Sequence, residues 1–496
     1  MSRPILARLI AALSLLSGTT ELVRGQQPAV WRAEVGEDVK HLSVTAAGAV
    51  LVQSKAGLAA FAADSGTRLW SRAEASDVSV IGDLPMAVAR AGNSLRVIDL
   101  ATGTDRWDFA KLGLSEPVRF VSLPWRRELL VYGPSAAGRL TMLSVMLDSG
   151  VVRWRQDTLL EARLRQGKPL ALSQHVAPAV VGDTAILLDA DEAGLLDVRL
   201  SDGAVLWRLP DAAIDLDRVS HLQVVDGTIY IVRQQTLVAA DPATGAIKWK
   251  SQRNLPAPAD ALEMSSAGLV AGGSFMHSGW TTEPRVFVDV IDPATGASRW
   301  AKAIEIRGHS PFVVRGDTIF QPVTKGFRAF EPASGKALTD ATLPELGGGE
   351  EPLLVEPVEG GDLVLLSAQN LLRVAPDGQV KYHRYLRAPG MSRLAKVAAI
   401  TASVAVTAAT GMVSYVHPVR YHATASVDRY AYIYTDQLID GSGGFDLVRF
   451  DKVSGSEKGR VRMSERRPTY VVEPTSGTVV TVVGRELVAY RYPRAE

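Results

Sequence analysis

Short apolar runs recur along the chain, and glycine, aspartate or proline residues bound most of them. Residues 228–232 read Thr-Ile-Tyr-Ile-Val directly after an Asp-Gly pair, and residues 318–320 and 363–366 follow Gly-Asp pairs. Runs of β-branched and aromatic residues between tight-turn pairs are typical of β-strands joined in hairpins. The pattern therefore predicts an all-β chain of many short antiparallel strands.

A second pattern is a glycine turn followed, four residues later, by tryptophan. The three strongest copies begin with aspartate, and their aspartate, glycine and tryptophan residues are Asp99, Gly103 and Trp107; Asp241, Gly245 and Trp249; and Asp292, Gly296 and Trp300. Looser copies end at Trp70, Trp154 and Trp207. A hairpin alone does not need tryptophan at one fixed offset, so the pattern indicates a repeated structural unit.

The repeat has the length of a propeller blade. Successive turn glycines are mostly about 40 to 50 residues apart, which suits a blade of four strands. Three later copies have lost the tryptophan: Gly335 leads to Thr339, Gly378 to Tyr382 and Gly455 to Gly459. Residues 29–34 resemble a lone outer strand, and the C-terminal residues supply three strands without an outer one. We predict a single-ring β-propeller of eight to ten four-stranded units, closed by the N-terminal strand on the C-terminal strands.

Each residue type in the repeated phrase has a physical reason. Aspartate at the turn start accepts hydrogen bonds from backbone N–H groups two residues on, and the proline that follows it in some copies presets φ. Glycine takes the positive φ that reverses the chain. We expect each tryptophan on the outer strand, with its ring packed between blades and its N–H donating to a carbonyl.

The phrase Asp-x-x-Thr-Gly-x-x-x-Trp at blade spacing resembles the tryptophan docking motif of PQQ-like β-propellers, over about residues 31–492. This resemblance implies either a quinoprotein dehydrogenase or a non-enzymatic, BamB-like periplasmic scaffold. Nine glycine turns and the closing unit make up to ten units. Either the ring is larger than is usual in that family, or some units are not true blades.

The enzymatic branch of the family is not favoured. By the resemblance, those members place a Cys-Cys pair against the quinone and Glu, Asn and Asp residues around Ca²⁺, whereas this chain has no cysteine and no stretch matching the calcium and catalytic positions. P-loop, H-E-x-x-H and G-x-S-x-G motifs are absent from the sequence too. We therefore expect no catalytic residues, no cofactor and no metal, with a quinone- or small-ligand-binding propeller as the alternative.

Two places carry metal-binding residue types. His417 and His422 lie near Tyr415 and Tyr421, without an evident third and fourth ligand. The acidic run 189–194 has alternating oxygen ligands but lacks the order of an EF-hand loop. Ordinary polar residues and an acidic hairpin loop are the preferred interpretations.

The first 25 residues predict a secretory signal peptide. They combine Arg3 and Arg8 with an apolar run at 9–16 and a possible cleavage point after Gly25. An uncleaved anchor is the alternative, although the run is shorter than a bilayer span of about 20 residues. The propeller domain would be residues 26–496, periplasmic or secreted, without a lipid-bearing cysteine.

An insertion at 389–420 interrupts the repeat, because 77 residues separate Gly378 from Gly455. Its centre, 397–416, is uncharged and mainly Ala, Val, Thr, Ile and Ser. Three interpretations stay open: a helix or hairpin packed on the ring, a surface that touches a membrane or partner, and a transmembrane helix.

Charge excludes one class of partner. Lys and Arg total 54 against 53 Asp and Glu, and no long run of one sign occurs, so nothing indicates nucleic-acid binding. We predict a monomeric scaffold that binds protein partners, with envelope protein assembly as the role that the resemblance implies. A membrane-associated sensor that uses 397–416 is a further alternative.

Overall fold

The computed structural model describes residues 28–35, 39–92, 94–114, 118–135, 140–160, 178–182, 184–189, 194–210, 219–277, 283–308, 312–323, 326–342, 346, 354–375, 379–386, 425–427, 429–435, 445–463 and 468–492. The signal peptide, the His417/His422 region and the insertion at 389–420 lie outside these residues. What the sequence indicates for these three segments therefore stays a prediction.

The described residues form ten four-stranded antiparallel sheets, which we number as blades in chain order. The first strand, β1 (Trp31–Glu34), belongs to the last blade. The strands of blades 1 to 3 are β2 (Val39–Val44), β3 (Ala49–Ser54), β4 (Gly57–Ala62) and β5 (Arg68–Arg72); β6 (Ala75–Val80), β7 (Met86–Ala91), β8 (Ser94–Asp99) and β9 (Asp105–Asp108); and β10 (Arg119–Leu123), β11 (Glu128–Pro134), β12 (Leu140–Met146) and β13 (Val152–Leu160).

Blades 4 to 6 have the same order. Their strands are β14 (Ala179–Val181), β15 (Ala185–Asp189), β16 (Leu195–Arg199) and β17 (Val205–Leu209); β18 (Val219–Val225), β19 (Thr228–Arg233), β20 (Thr236–Ala240) and β21 (Ile247–Lys250); and β22 (Ala261–Ser265), β23 (Gly268–His277), β24 (Glu283–Ile291) and β25 (Ile304–Arg307).

Blades 7 to 9 precede the closing blade. Their strands are β26 (Val313–Arg315), β27 (Thr318–Val323), β28 (Gly326–Phe330) and β29 (Ala337–Thr342); β30 (Leu354–Pro357), β31 (Leu363–Leu366), β32 (Asn370–Val374) and β33 (Val380–Tyr385); and β34 (Ala425–Val427), β35 (Tyr430–Thr435), β36 (Phe445–Asp451) and β37 (Glu457–Met463).

Blade 10 joins the two ends of the chain. It contains β38 (Tyr470–Val472), β39 (Thr478–Val483) and β40 (Glu486–Arg491), and β1 completes it. Trp31 pairs with Ala489 and Glu34 with Glu486, so β1 covers the outer edge of β40. The predicted closure is confirmed, and the blade count is ten, the upper end of the predicted range.

Apolar packing joins the blades into a ring. The described residues form ten buried clusters, and each one combines side chains from two successive blades. One of them packs Trp31 and Leu487 of blade 10 against Leu42 and Phe61 of blade 1, which closes the circle. Because every blade buries both of its faces in this way, the propeller prediction is confirmed.

Helical structure is confined to short 3-10 turns in the described residues, for example Phe109–Leu112 and Pro124–Arg126. In this part of the chain, no helix has the length and hydropathy needed to cross a bilayer.

Candidate functional site

The glycine turns lie between the third and fourth strands of the blades. In the strongest copies of the repeat, the turn begins at an aspartate. One carboxylate oxygen of this aspartate accepts hydrogen bonds from two backbone N–H groups. Asp241 Oδ1, for example, lies 2.9 Å from the nitrogen of Ala243 and 3.1 Å from that of Thr244. Gly245 then has a φ of +70°, a conformation that favours glycine because it has no Cβ.

Each of the seven tryptophans of the repeat rests on the glycine turn of the next blade. A Cβ added to Gly245 would stand only 2.4 Å from the ring of Trp207, so the glycine is required both by its φ and by this contact. The seven rings are only 5–8% exposed. The residues concerned are Trp31, Trp70, Trp107, Trp154, Trp207, Trp249 and Trp300, on the turns of Gly66, Gly103, Gly150, Gly203, Gly245, Gly296 and Gly335.

The indole N–H groups donate across the same interfaces, at 2.8–2.9 Å. The acceptors, in blade order starting from Trp31, are the carbonyl oxygens of Ala63, Leu100, Leu147, Leu200, Pro242, Pro293 and Pro332. A large ring that is both buried and hydrogen-bonded ties each blade to its neighbour.

Charge reinforces the turns. Arg106 Nη2 lies 2.6 Å from Asp99 Oδ2, and Arg299 Nη2 lies 2.9 Å from Asp292 Oδ2. The hydrogen bond from the backbone N–H of Ala294 lowers the pKa of Asp292 below its ordinary value, even though partial desolvation opposes it. The turn aspartates are thus held ionised as acceptors for the backbone.

Trp300 differs from the prediction, because it does not lie on a β-strand. The outer strand of blade 6, β25, begins only at Ile304. The guanidinium of Arg253 holds this segment in addition to the backbone bond from Arg299 to Val290: it donates to the carbonyl oxygens of Trp300 (3.3 Å) and Ala301 (2.8 Å) and pairs with buried Asp289 at 2.6 Å. Trp300 therefore keeps its indole contact with blade 7 although it is not part of a strand.

In blades 8 and 9, which lack the tryptophan, other side chains make the blade contact. Tyr382 of blade 8 packs on the turn of Gly455, and its hydroxyl donates to the carbonyl of Lys452. Arg373 donates to the carbonyl of Val453, and Arg384 Nε donates to that of Gly455 at 2.7 Å. Burial raises the pKa of the Tyr382 phenol well above its ordinary value, so the hydroxyl stays a donor.

Blade 9 also lacks the tryptophan, and an arginine contacts blade 10 instead, although at a different turn. Its outer strand has Gly459 at the equivalent position, directly opposite Arg449. The guanidinium carbon of Arg449 lies 4.8 Å from the ring centre of Tyr430 and 4.4 Å from that of Tyr492. Its Nη1 stands against Gly477, which lies in the turn between β38 and β39, the first and second strands of blade 10. Sequence reasoning missed this role because the arginine comes from the third strand and not from the motif.

Among the described residues, one buried carboxyl on β16 has an oxygen without a hydrogen-bond partner. Asp197 on β16 is 1% exposed, and its Oδ1 accepts no hydrogen bond in the described part of the chain. In the register it lies between Leu187 and Trp207, which both belong to the apolar cluster of blades 4 and 5. Burial raises the pKa of Asp197 to about 6.

The described residues contain no group of His, Asp or Glu that could hold a metal ion. Within the acidic run at 189–194, residues 190–193 lie outside the described chain, so the preference for a hairpin loop over a calcium site stays a prediction. The glycine turns that receive the tryptophan rings lie at the same end of their blades, and their hydrogen bonds hold them in place. This arrangement indicates a framework that presents a row of fixed turns on one face.

Tyr382→Phe is expected to lower the free energy of unfolding by about 1 kcal/mol, because the carbonyl of Lys452 loses its donor inside the blade 8 and 9 interface. The measurement is the midpoint of chemical denaturation at constant slope. Tyr385→Phe, on the same strand but 41% exposed, is the control and should leave the midpoint unchanged. Equal shifts for the two variants would contradict a role for the hydroxyl.

A family model described as outer membrane protein assembly factor BamB matches residues 87–258 and 233–429, together more than half of the chain. A comparison with curated protein sequences gives no match.

Solved structures with similar folds include BamB from Moraxella catarrhalis, with 15% identity, a TM-score of 0.36, and coverage of 72% of this chain and 99% of that one. The computationally designed Ika8 protein is similar at 13% identity and a TM-score of 0.35, covering 71% and 98%. The WD40 domain of SCAP from fission yeast is similar at 7% identity and a TM-score of 0.36, covering 94% and 97%.

At such TM-scores the structural likenesses carry no argument, and the assignment rests on the family model, which spans most of blades 2 to 8. The repeated turns and their tryptophans lie within the matched residues for the three strongest copies. The chain belongs to the family described as outer membrane protein assembly factor BamB, whose members are PQQ-like repeat propellers.

Proposed function

We propose that this protein is a non-enzymatic scaffold that binds other proteins outside the cytoplasm and supports the assembly of envelope proteins. The observation that carries the proposal is the family match over residues 87–258 and 233–429. The predicted signal peptide at 1–25 agrees with an extracytoplasmic place of action.

The geometry suits binding more readily than catalysis. Antiparallel order places the turns between first and second strands and those between third and fourth strands at the same end of every blade. In blade 3 these two turns are clamped together, because Arg127 Nη2 and Nε lie 2.6 and 2.9 Å from the carboxylate oxygens of Asp148. Trp125 and Val151 are 53% and 56% exposed on these turns, and exposed aromatic side chains on rigid turns are typical of protein contacts.

Loss of the protein from its natural host is expected to lower the amount of envelope proteins with β-barrel folds, since the family description refers to outer membrane protein assembly. Quantitative proteomics of envelope fractions measures this, with the wild-type chain restored as the control. Unchanged envelope composition would contradict the assembly role.

The absence of catalysis has its own test. We expect purified protein mixed with PQQ and Ca²⁺ to show neither saturable binding nor dye reduction, because the chain lacks cysteine and so lacks the Cys-Cys pair of the quinoprotein branch. Saturable binding together with dye reduction would contradict the scaffold proposal and indicate a quinoprotein instead.

A further inference from the structure

The exposed apolar side chains on the turns of blade 3 are held in fixed positions. Trp125 lies in the 3-10 turn Pro124–Arg126, which a bond from the Arg127 N–H to the first carbonyl of the turn closes at 3.0 Å. Val151 lies on the second turn, which the ion pair of Arg127 with Asp148 joins to the first. The two apolar side chains are 53% and 56% exposed. Because their backbone is already fixed, covering them costs little ordering entropy.

The turn between the first and second strands of blade 2 lies beside this surface. A Cβ added to Gly82 in that turn would stand 3.0 Å from Cγ of Pro124, so the turns of the two blades are in contact. The next residue, Asp83, is exposed and forms no ion pair within the described part of the chain. An exposed carboxylate therefore lies on the turn adjacent to that of Trp125.

The arginines at this end of blade 3 are paired with carboxylates of their own blade. Arg127 Nη2 lies 2.6 Å from Asp148 Oδ1. Arg126 and Arg153 share the buried carboxylate of Glu128. The exposed aspartate of blade 2 offsets the second of these two arginines, so the surface itself is neutral in sum and the other turns decide the charge of the face.

The turns at this end of the other blades are acidic. Their exposed carboxylates form no ion pair among the described residues, whereas on the same described turns Lys336 alone is an exposed cation without a carboxylate partner. The carboxylates, with that of blade 2, are Asp64, Asp83, Asp226, Asp317, Glu331 and Glu359. Because the whole chain is nearly neutral, with 54 Lys and Arg against 53 Asp and Glu, the imbalance is a property of this face and not of the composition.

The sign of this charge selects the kind of partner. An acidic face repels anionic lipids and nucleic acids, and it attracts a protein surface that carries lysine or arginine. An exposed indole adds to this preference, because cations bind over its ring. Tryptophan is also one of the residues that contribute most to binding between proteins.

We propose that the turns of blades 2 and 3 bind a basic segment of a partner protein, with an apolar side chain of that segment packed on Trp125 and Val151 and a lysine or arginine near Asp83. The inference rests on the proposed scaffold function and specifies where on the ring one partner docks and which chemistry it presents.

The test uses purified full-length protein and a short synthetic peptide of alternating lysine and leucine, with a glutamate and leucine peptide as the control. Binding is followed by calorimetry at low and high salt. We expect the lysine peptide to bind, more weakly at high salt, and the glutamate peptide not to bind.

Two variants and their matched controls locate the site. Trp125→Ala should weaken binding of the lysine peptide about tenfold, whereas Leu338→Ala, which removes a side chain that is 51% exposed on the outer strand β29, should leave it unchanged. Asp83→Asn should weaken it about threefold, whereas Asp317→Asn, on the equivalent turn of blade 7, should leave it unchanged.

Unchanged binding in Trp125→Ala would overturn the proposal, and so would equal effects of Asp83→Asn and Asp317→Asn. Binding to phosphatidylglycerol vesicles but not to the lysine peptide would overturn it in favour of a membrane surface. Trp125→Ala should melt at the wild-type temperature; if it melts lower, Val151→Ser decides, and unchanged binding in that variant would contradict the site. None of these failures would alter the envelope composition test of the scaffold function.

Discussion

Trp107→Ala is expected to lower the free energy of unfolding by about 3–5 kcal/mol, the range found when a large buried aromatic side chain is removed. The indole is 6% exposed, stacks on Phe109 with ring centres 4.8 Å apart, and donates to the carbonyl of Leu147 in blade 3 at 2.8 Å. The variant therefore loses apolar burial, a ring contact and a hydrogen bond between two blades.

Chemical denaturation measures the decrease in the free energy of unfolding for Trp107→Ala, and hydrogen exchange shows which strands lose stability. We expect the amides of β9 and β12 to lose protection first, because they flank the cavity. Trp125→Ala is the control: this tryptophan is 53% exposed, so its removal should change stability by no more than about 0.5 kcal/mol. If both variants were equally stable, the docking contact would contribute little to the ring.

Asp197→Val is expected to stabilise the protein by about 3 kcal/mol at neutral pH. The pKa of this carboxyl rises from 3.8 to about 6 because burial among apolar side chains disfavours the charged form. A shift of about two pKa units corresponds to about 3 kcal/mol. Valine suits the site, since Val97 occupies the equivalent position opposite Trp107 in blade 2.

The sign of the pH dependence follows from the two pKa values. The folded state binds the proton more tightly than the unfolded state, so the stability that the neutral carboxyl contributes is complete below about pH 4 and is lost as pH rises through about 6. The gain from Asp197→Val should therefore be large at neutral pH and small near pH 4. Denaturation curves across this range measure it, and Val97→Asp should create the same pH dependence in blade 2. A gain that does not vary with pH would show that the carboxylate has a counter-charge in solution.

The sequence was sufficient for the parts of the fold that repeat locally. Turn pairs, apolar runs and the Gly-x-x-x-Trp spacing each depend on neighbouring residues, so strand order, blade length and ring closure could be predicted. The upper count of ten blades also followed from counting degenerate copies, because Gly335 and Gly455 kept their turns after the tryptophans that follow them were lost.

The candidate site was less predictable, because its exceptions depend on distant contacts. Arg449 joins blades 9 and 10 through contacts with Tyr430 and Tyr492, which come from two blades. Tyr382 was the one exception with a signal in the sequence, since an aromatic residue stands at the tryptophan position.

The position of Trp31 has a consequence for the order in which the ring can form. Its indole N–H donates a hydrogen bond to the carbonyl of Ala63 in blade 1, only 32 residues away. Its backbone, in contrast, pairs with Ala489 of β40, near the other end of the chain. Because loop closure is easier over short separations, β1 can dock on blade 1 long before β40 has been synthesised. The edge of β1 is then already fixed in position on blade 1, and the ring closes when β40 pairs with it.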